Sequence, residues 1–176
     1  GPTAASGSFG FPSGTCLASS WNIDLAADFG TVVGKYCKKD GGIHFWLAPG
    51  INIQRNPLCG RNFEYYSEDP LISGLMASAT TEKVQRYGVA VAAKHFAANN
   101  KETARGSNDS RVSERALREI YLKGFEMLVK YTKPISLMTA YNKINGCYCS
   151  ENSELMREIA RNEWGFDGMF MTDWGG

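Results

Sequence analysis

The residues best equipped for chemistry lie in a few short motifs of this 176-residue chain. Asp173 follows the apolar run Met169-Phe-Met-Thr172 and precedes Trp174. A carboxylate held at the mouth of a buried strand, beside an aromatic ring, suits a nucleophile or a base. An Asp in that position also commonly caps the next helix. Lys94-His95 follows the apolar stretch Val89 to Ala93 and makes a dense pair of donors. A buried Lys needs a nearby carboxylate to stay charged; the plainer reading is a lysine reaching solvent beside a core histidine. Arg61, in Cys59-Gly-Arg-Asn-Phe-Glu-Tyr-Tyr-Ser-Glu-Asp-Pro70, is a fork donor suited to vicinal hydroxyls or a carboxylate, or else a staple for its own loop through Glu64, Glu68 or Asp69. Tyr141, in Met138-Thr-Ala-Tyr-Asn-Lys143, is either a site donor or an interface aromatic.

Each motif needs an element to hold it. From Asp24 to Lys39, Leu25, Phe29, Val32, Val33 and Tyr36 recur at helical spacing, and Gly41-Gly42 stop the run. Ile43 to Ala48 reads as a buried strand closed by Pro49-Gly50. Asp69-Pro70 has the form of an N-cap with Pro at the first helical position; Ile72, Leu75, Met76 and Ala79 carry the stripe until Tyr87-Gly88. Val89 to Ala93 is a second strand. Ser113 opens a helix with Leu117, Ile120, Tyr121, Phe125 and Leu128 on one face and Pro134 as its stop. Ile135 to Thr139 is the third strand. Asn152 caps a last helix through Leu155, Met156 and Ile159, Gly165 ends it, and Met169 to Thr172 is the fourth strand.

Helix and strand thus alternate four times, and the strands are apolar throughout. This pattern predicts a parallel sheet covered on its outer face by helices, in a doubly wound or a barrel arrangement. The polar motifs favour the barrel. Arg61 lies some way past the first strand, Lys94-His95 directly after the second, Tyr141-Asn142 after the third and Asp173-Trp174 after the fourth. In a β/α barrel those carboxyl ends form one rim around a central pocket. The expected fold is α/β, a partial (β/α) TIM-type barrel of about four alternating helix-strand units. Eight strands and roughly 250 residues are usual for that fold, so residues 1–176 are expected to form part of a single barrel domain.

Composition narrows the functional classes. The formal net charge is +1, so no whole-chain field points at nucleic acid or acidic lipid. With 43% hydrophobic and 21% charged residues the chain has material for a packed core. No apolar run approaches the roughly 18 residues of a membrane helix. Five scattered cysteines, an odd number, fit free thiols better than a disulfide framework and lean toward a reducing, cytoplasmic compartment. His44 and His95 with Cys147 and Cys149 lack zinc-ligand spacing, so neither metal nor cofactor is expected. Asn108-Asp-Ser110 matches a glycosylation acceptor, which matters only in a secreted protein.

Taken jointly, the motifs closely resemble glycoside hydrolase family 3, in its β-glucosidase branch. The resemblance rests on Leu47 through Pro70, Lys94-His-Phe-Ala-Ala-Asn99, Glu114-Arg-Ala-Leu-Arg-Glu-Ile-Tyr-Leu122, Met138-Thr-Ala-Tyr-Asn-Lys-Ile-Asn-Gly146 and Thr172-Asp-Trp174, in order and spacing. It implies a retaining exo-glycosidase that releases terminal β-D-glucose, with a barrel first domain and Asp173 as nucleophile. Arg61, Lys94, His95 and Tyr141 match positions that bind the terminal sugar or support the nucleophile, and Trp174 matches an aromatic wall beside the leaving group. Cys59-Gly-Arg-Asn-Phe-Glu64 speaks for glucosidase rather than xylosidase members. Ala97-Ala98-Asn99 is not the Pro-Gly-His loop of the hexosaminidase members. The family also places a sugar-binding Asp just before a Gly-Pro like Gly1-Pro2, and an acid/base carboxylate in a second, downstream α/β domain, here expected to lie outside the segment. The rest of a parent enzyme or a self-association partner is then expected to close the barrel.

Two other readings compete. Lys94 could form a Schiff base in a carbonyl-lyase barrel. The segment as isolated could also be a non-catalytic sugar-binding remnant.

Overall fold

The computed structural model describes residues 10–39 and 43–176. Gly1-Pro2 and the expected helix stop at Gly41-Gly42 lie outside the described residues. The elements in chain order are α1 (Gly14–Ala18), α2 (Ile23–Lys39), β1 (Phe45–Trp46), α3 (Pro70–Gln85), β2 (Ala90–Phe96) and β3 (Asp109–Ser110). There follow α4 (Glu114–Ala116), a π-helical turn Leu117–Tyr121, α5 (Lys123–Thr132), β4 (Ser136–Thr139), β5 (Lys143–Ile144), β6 (Cys147–Tyr148), a wide π-type helix Glu154–Glu163, here α6, and β7 (Met169–Thr172).

The main sheet runs β1-β2-β4-β7 with every neighbouring pair parallel. Sequential parallel strands separated by helices are the wall of a (β/α) barrel, so the chain forms a partial barrel of four helix-strand units. The first strand is shorter than expected by ladder geometry, yet its pairing continues past Trp46: Lys94 N–H donates to Pro49 O at 2.9 Å and Ile51 N–H to Lys94 O at 2.7 Å. The second is longer. Lys94 and His95 stand inside β2 rather than beyond it, because the strand keeps pairing with the 49–51 segment and with Thr139.

Local signals place most helix ends. Asp69 Oδ1 accepts the N–H groups of Leu71 and Ile72 at 2.7 and 3.1 Å, with Pro70 at the first helical position. Asn152 Oδ1 accepts Leu155 N–H at 3.0 Å. Gly165, at φ +73, ends α6 as the left-handed C-terminal residue, its N–H on Arg161 O and the next N–H on Ala160 O. The helix expected from Ser113 to Pro134 is interrupted, since Leu122 N–H reaches back five residues to Leu117 O before α5 resumes.

The buried faces of two helices differ from the expected stripes. In α2 the buried residues are Ala26, Gly30, Val33, Gly34 and Cys37, while Leu25 and Val32 are exposed. In α3 they include Ser73, Gly74, Met76, Ala77, Thr80, Thr81 and Val84. The reason is close helix packing: a Cβ on Gly30 would lie 2.4 Å from Thr80 O, and one on Gly34 2.5 Å from the Tyr87 ring. Small residues let α2 and α3 approach, and α3 is packed between α2 and α5. Beneath the helices, Phe96 gathers Phe125, Trp164 and Phe170 within 5.1, 6.0 and 6.1 Å between ring centres.

A second, three-stranded sheet, β3-β5-β6, was not anticipated. Its β5–β6 hairpin turns at Asn145-Gly146, both at positive φ (+50 and +96), the geometry that Asn-Gly favours between antiparallel strands. Asn142 Nδ2 donates to Ala97 O at 3.1 Å, Cys149 Sγ lies 3.5 Å from the same carbonyl, and Ser110 Oγ donates to Ala98 O at 3.0 Å. Burial pushes the Cys149 thiol up to about 11, so it packs as an inert neutral group. This sheet pins the chain after β2 against the chain after β4, beside the strand ends.

Candidate active site

Asp173 directly follows β7 and is buried. Its Oδ1 accepts the N–H of Trp174, the next residue, at 2.9 Å, and its backbone O accepts Gly176 N–H at 3.0 Å. This is a tight turn that presents the carboxylate, not a cap that spends it on later amides of a helix. Oδ2 faces His95 Nε2 at 3.5 Å.

His95 is 1% exposed, the most deeply buried of the candidate site residues. Its backbone is clasped by Asn52, whose Oδ1 accepts His95 N–H at 2.7 Å while Nδ2 donates to His95 O at 2.8 Å. Its Nδ1 lies 3.2 Å from the same Asn52 Oδ1 and 3.3 Å from Tyr65 OH. Burial, followed by the positive charges of Arg61, Lys94 and Arg105, lowers the imidazole pKa to about 2. His95 is neutral across the physiological range.

Arg61 and Lys94 converge on Glu64. Arg61 Nε donates to Glu64 Oε1, and Lys94 Nζ lies 3.5 Å from Oε2. Burial works against the Arg61 charge, but Glu64 outweighs it and raises the Arg61 pKa. Of the two alternatives at Arg61, the loop staple through Glu64 is the one these contacts form. The loop is fixed from outside: Thr15 Oγ1, on the unanticipated α1, donates to Asn62 O at 2.6 Å, and Gln54 Nε2 donates to Asn62 O at 2.9 Å. A Cβ on Gly14 would stand 2.4 Å from Glu64 O, so α1 meets this loop backbone to backbone.

Tyr141 completes the rim. Its OH donates to Trp174 O at 2.5 Å and the Arg105 guanidinium sits 4.8 Å above its ring. Burial and the Asp173 charge raise its phenol pKa. Trp174 is 78% exposed and engages the cluster through its backbone N–H and C=O. An aromatic-lined cavity of about 840 Å³ adjoins on the β1 side and shares Lys94 and Glu64 with the cluster, but contains neither His95 nor Asp173.

All the sequence-nominated residues thus lie at one end of the sheet. Sequence reasoning passed over Asn52, Tyr65, Asn99 and Arg105. Asn52 had a signal: it lies between Ile51 and Ile53, and a polar residue buried among apolar neighbours needs a buried partner. Asn99 Nδ2 donates to Tyr65 OH at 3.2 Å and to Glu102 Oε1 at 3.0 Å, and Arg105 Nη1 donates to Glu102 Oε2 at 2.9 Å. No local pattern announces that chain of contacts.

The geometry has counterparts among known proteins. The thermostable β-glucosidase B of Acetivibrio thermocellus is 49% identical over 94% of this chain, and an exo-α-(1→6)-L-arabinopyranosidase of Bifidobacterium longum is 48% identical over 94%. The structure of β-glucosidase 3B from Thermotoga neapolitana in complex with glucose superposes with a TM-score of 0.92, at 51% identity over 99% of this chain. The chain spans 22% of each of those two relatives and 25% of the Thermotoga chain. Residues 4–176 match the Glycosyl hydrolase family 3 N terminal domain, and the chain belongs to that family.

Proposed function

We infer that the complete protein carrying this segment is a retaining exo-glycosidase that removes terminal β-D-glucose from β-glucosides, with Asp173 as its nucleophile. The observation that carries this reading is the buried Asp173 carboxylate, one oxygen held by Trp174 N–H and the other turned to a neutral His95 at 3.5 Å. Such a group is fixed in place and not consumed by a salt bridge to Arg61 or Lys94, which pair with Glu64.

Retention proceeds in two displacements between carboxyl groups about 5 to 5.5 Å apart. Asp173 attacks the anomeric carbon as the glycosidic C–O bond breaks, and the departing oxygen takes a proton from the second carboxyl group. That group, now a base, removes a proton from water, which attacks the anomeric carbon and releases Asp173. The second carboxyl group comes from the downstream domain that the family resemblance implies, and the rest of that protein closes the barrel. Arg61, Lys94, His95 and Tyr141 donate to the hydroxyls of the terminal sugar or support Asp173. Hydrogen bonds that shorten as charge develops at the ring supply the rate gain. Trp174, at the rim, presents its indole to the leaving group.

The test is to incubate the complete protein with an activated 2-deoxy-2-fluoro-β-glucoside and locate the label by peptide mass spectrometry. The expected result is one glycosyl ester on Asp173. Label on another carboxylate, or active enzyme that never labels, overturns the assignment. The relative named an arabinopyranosidase makes nitrophenyl α-L-arabinopyranoside the necessary comparison substrate, and faster turnover of it than of the β-glucoside would overturn the glucose preference. Borohydride trapping of a carbonyl substrate on Lys94 would instead support the lyase alternative.

A further inference from the structure

His95 Nε2 faces Asp173 at 3.5 Å but makes no hydrogen bond among the described residues, and it is buried. Which proton the imidazole carries therefore decides what Asp173 meets. If the proton sits on Nδ1, its acceptors among the described residues are Asn52 Oδ1 at 3.2 Å and Tyr65 OH at 3.3 Å, and Nε2 turns a bare lone pair toward the Asp173 carboxylate. If the proton sits on Nε2, an N–H points at Asp173 Oδ2, and Nδ1 must be met by a donor.

Among the described residues only Tyr65 can be that donor. Asn52 presents its oxygen to Nδ1, because its amide is oriented by the paired bonds to the His95 backbone. Tyr65 OH receives a hydrogen bond from Asn99 Nδ2 at 3.2 Å, which leaves its own proton free to give. That proton has two acceptors in reach, His95 Nδ1 at 3.3 Å and Asn99 O at 3.4 Å. Tyr65 is fully buried, and burial raises its phenol pKa, so the hydroxyl keeps its proton. The competing costs are unequal. The Nε2–H form sets a lone pair near one neutral amide oxygen, whereas the Nδ1–H form sets a lone pair before a carboxylate oxygen in a buried site, where charge interactions are strongest.

We propose that Tyr65 is a positioning residue: its hydroxyl donates to His95 Nδ1 and so holds the ring as the Nε2–H tautomer, with that N–H facing Asp173 Oδ2. Asn99 and Glu102 orient Tyr65 from behind, so the chain after β2 acts on Asp173 through two hydrogen bonds, Asn99 to Tyr65 and Tyr65 to His95, and the 3.5 Å approach of His95 Nε2. Tyr65 itself touches no substrate. This goes beyond the glycosidase reading in assigning a proton, but its catalytic consequence rests on that reading.

Neutron diffraction from deuterated crystals of the complete protein tests it directly. Deuterium is expected on Nε2 and absent from Nδ1, with the Tyr65 O–D bond aimed at Nδ1. Deuterium on Nδ1, or an O–D bond aimed at Asn99 O, overturns the proposal without any variant. Tyr65→Phe keeps the ring and leaves Asn99 Nδ2 on Glu102, so the fold should persist. In it the deuterium is expected to move to Nδ1. Its kcat is expected to fall by between about tenfold and the roughly 10⁴-fold that a wrong histidine tautomer costs a serine triad, with KM little changed. A variant that keeps Nε2–D and full kcat overturns the positioning role. If the unaltered protein releases no sugar, the glycosidase reading fails while the diffraction result still decides the tautomer.

Discussion

The strand-end cluster and the α2–α3 helix layer are both tightly packed, by opposite means. At the strand ends, polar side chains are buried with neighbours chosen atom by atom: Asn52 clasps His95, Glu64 joins Arg61 to Lys94, and Trp174 N–H holds Asp173. Between α2 and α3 the side chains are apolar or small, and Gly30 and Gly34 let the α2 backbone come close to Thr80 and Tyr87. Buried polar groups cost free energy unless they find partners, so a cluster of them is held in place only by neighbours set atom by atom. Close helix contact through glycine costs nothing electrostatically and marks only proximity.

The comparison is broken most forcefully at Asp173. Asp173→Asn in the complete protein should lower kcat by several powers of ten on an activated β-glucoside, with an unchanged circular dichroism spectrum. Near-normal turnover would leave the cluster without its nucleophile. Glu64→Gln comes next, because it strips the counter-charge from two partly buried cations at once. A loss of roughly a hundredfold in kcat/KM is expected, equivalent to about 2.7 kcal/mol. Retention of full kcat/KM would mean that the Arg61–Glu64–Lys94 group is only a loop staple.

On the helix side, Gly30→Ala sets a methyl group 2.4 Å from a backbone oxygen that cannot swing away. The expected cost is about 1–3 kcal/mol, read as a lowered unfolding midpoint with kcat unchanged. Gly106, where a Cβ would meet nothing within 4 Å, is the control, and its Ala variant should lie within about 0.5 kcal/mol of the parent. A reversed order would show that α2 and α3 are farther apart than described.

How much of this was legible follows from the same contrast. Asp69-Pro70, Asn152 and Gly165 announce helix ends because caps and left-handed turns act within a few residues. Lys94, His95, Tyr141 and Asp173 were legible because reactive side chains beside apolar strands are uncommon, and the barrel topology collects them. Apolar periodicity placed Val33 and Phe29 on the packed side of α2 but added the exposed Leu25 and Val32, because it counts large residues and passes over Ala26, Gly30 and Gly34. The Asn145-Gly146 turn carried its usual sequence signal, yet its strands are two residues long, too short to show alternation. Tyr65 was invisible for another reason. Its partners lie 30 and 34 residues away, and no spacing rule reaches so far.

Acid sensitivity sharpens the polar side of the comparison. His95 binds a proton near pH 6.5 when unfolded but only near pH 2 when folded. The unfolded state therefore holds the extra proton between those values, and stability falls as pH drops through that window, by at most about 1.4 kcal/mol per pH unit. His95→Gln removes that one proton from the balance. Its denaturant midpoint should vary less steeply than the parent's from about pH 6 to pH 4, and identical slopes would show that His95 is solvated rather than buried.

The smallest effect is expected on the outer face of α2. Leu25 and Val32 are 45% and 50% exposed, although both belong to the apparent apolar stripe, whereas Ala26 and Val33 are fully buried. An exposed apolar side chain loses little when it becomes polar, because its transfer out of water was never completed. Leu25→Gln and Val32→Thr should each shift stability by less than about 0.5 kcal/mol in the complete protein. Ala26→Gln, one residue along, must force a long polar chain into the α2 contact, where Thr80 Oγ1 already donates to Ala26 O at 3.2 Å. It should cost more than Leu25→Gln by well over 1 kcal/mol. If Leu25→Gln instead costs the roughly 2–5 kcal/mol of a core leucine truncation, another segment of the complete protein covers this face. The apolar stripe would then be a docking surface for that segment, and the helix layer would share with the strand ends a dependence on what lies beyond it.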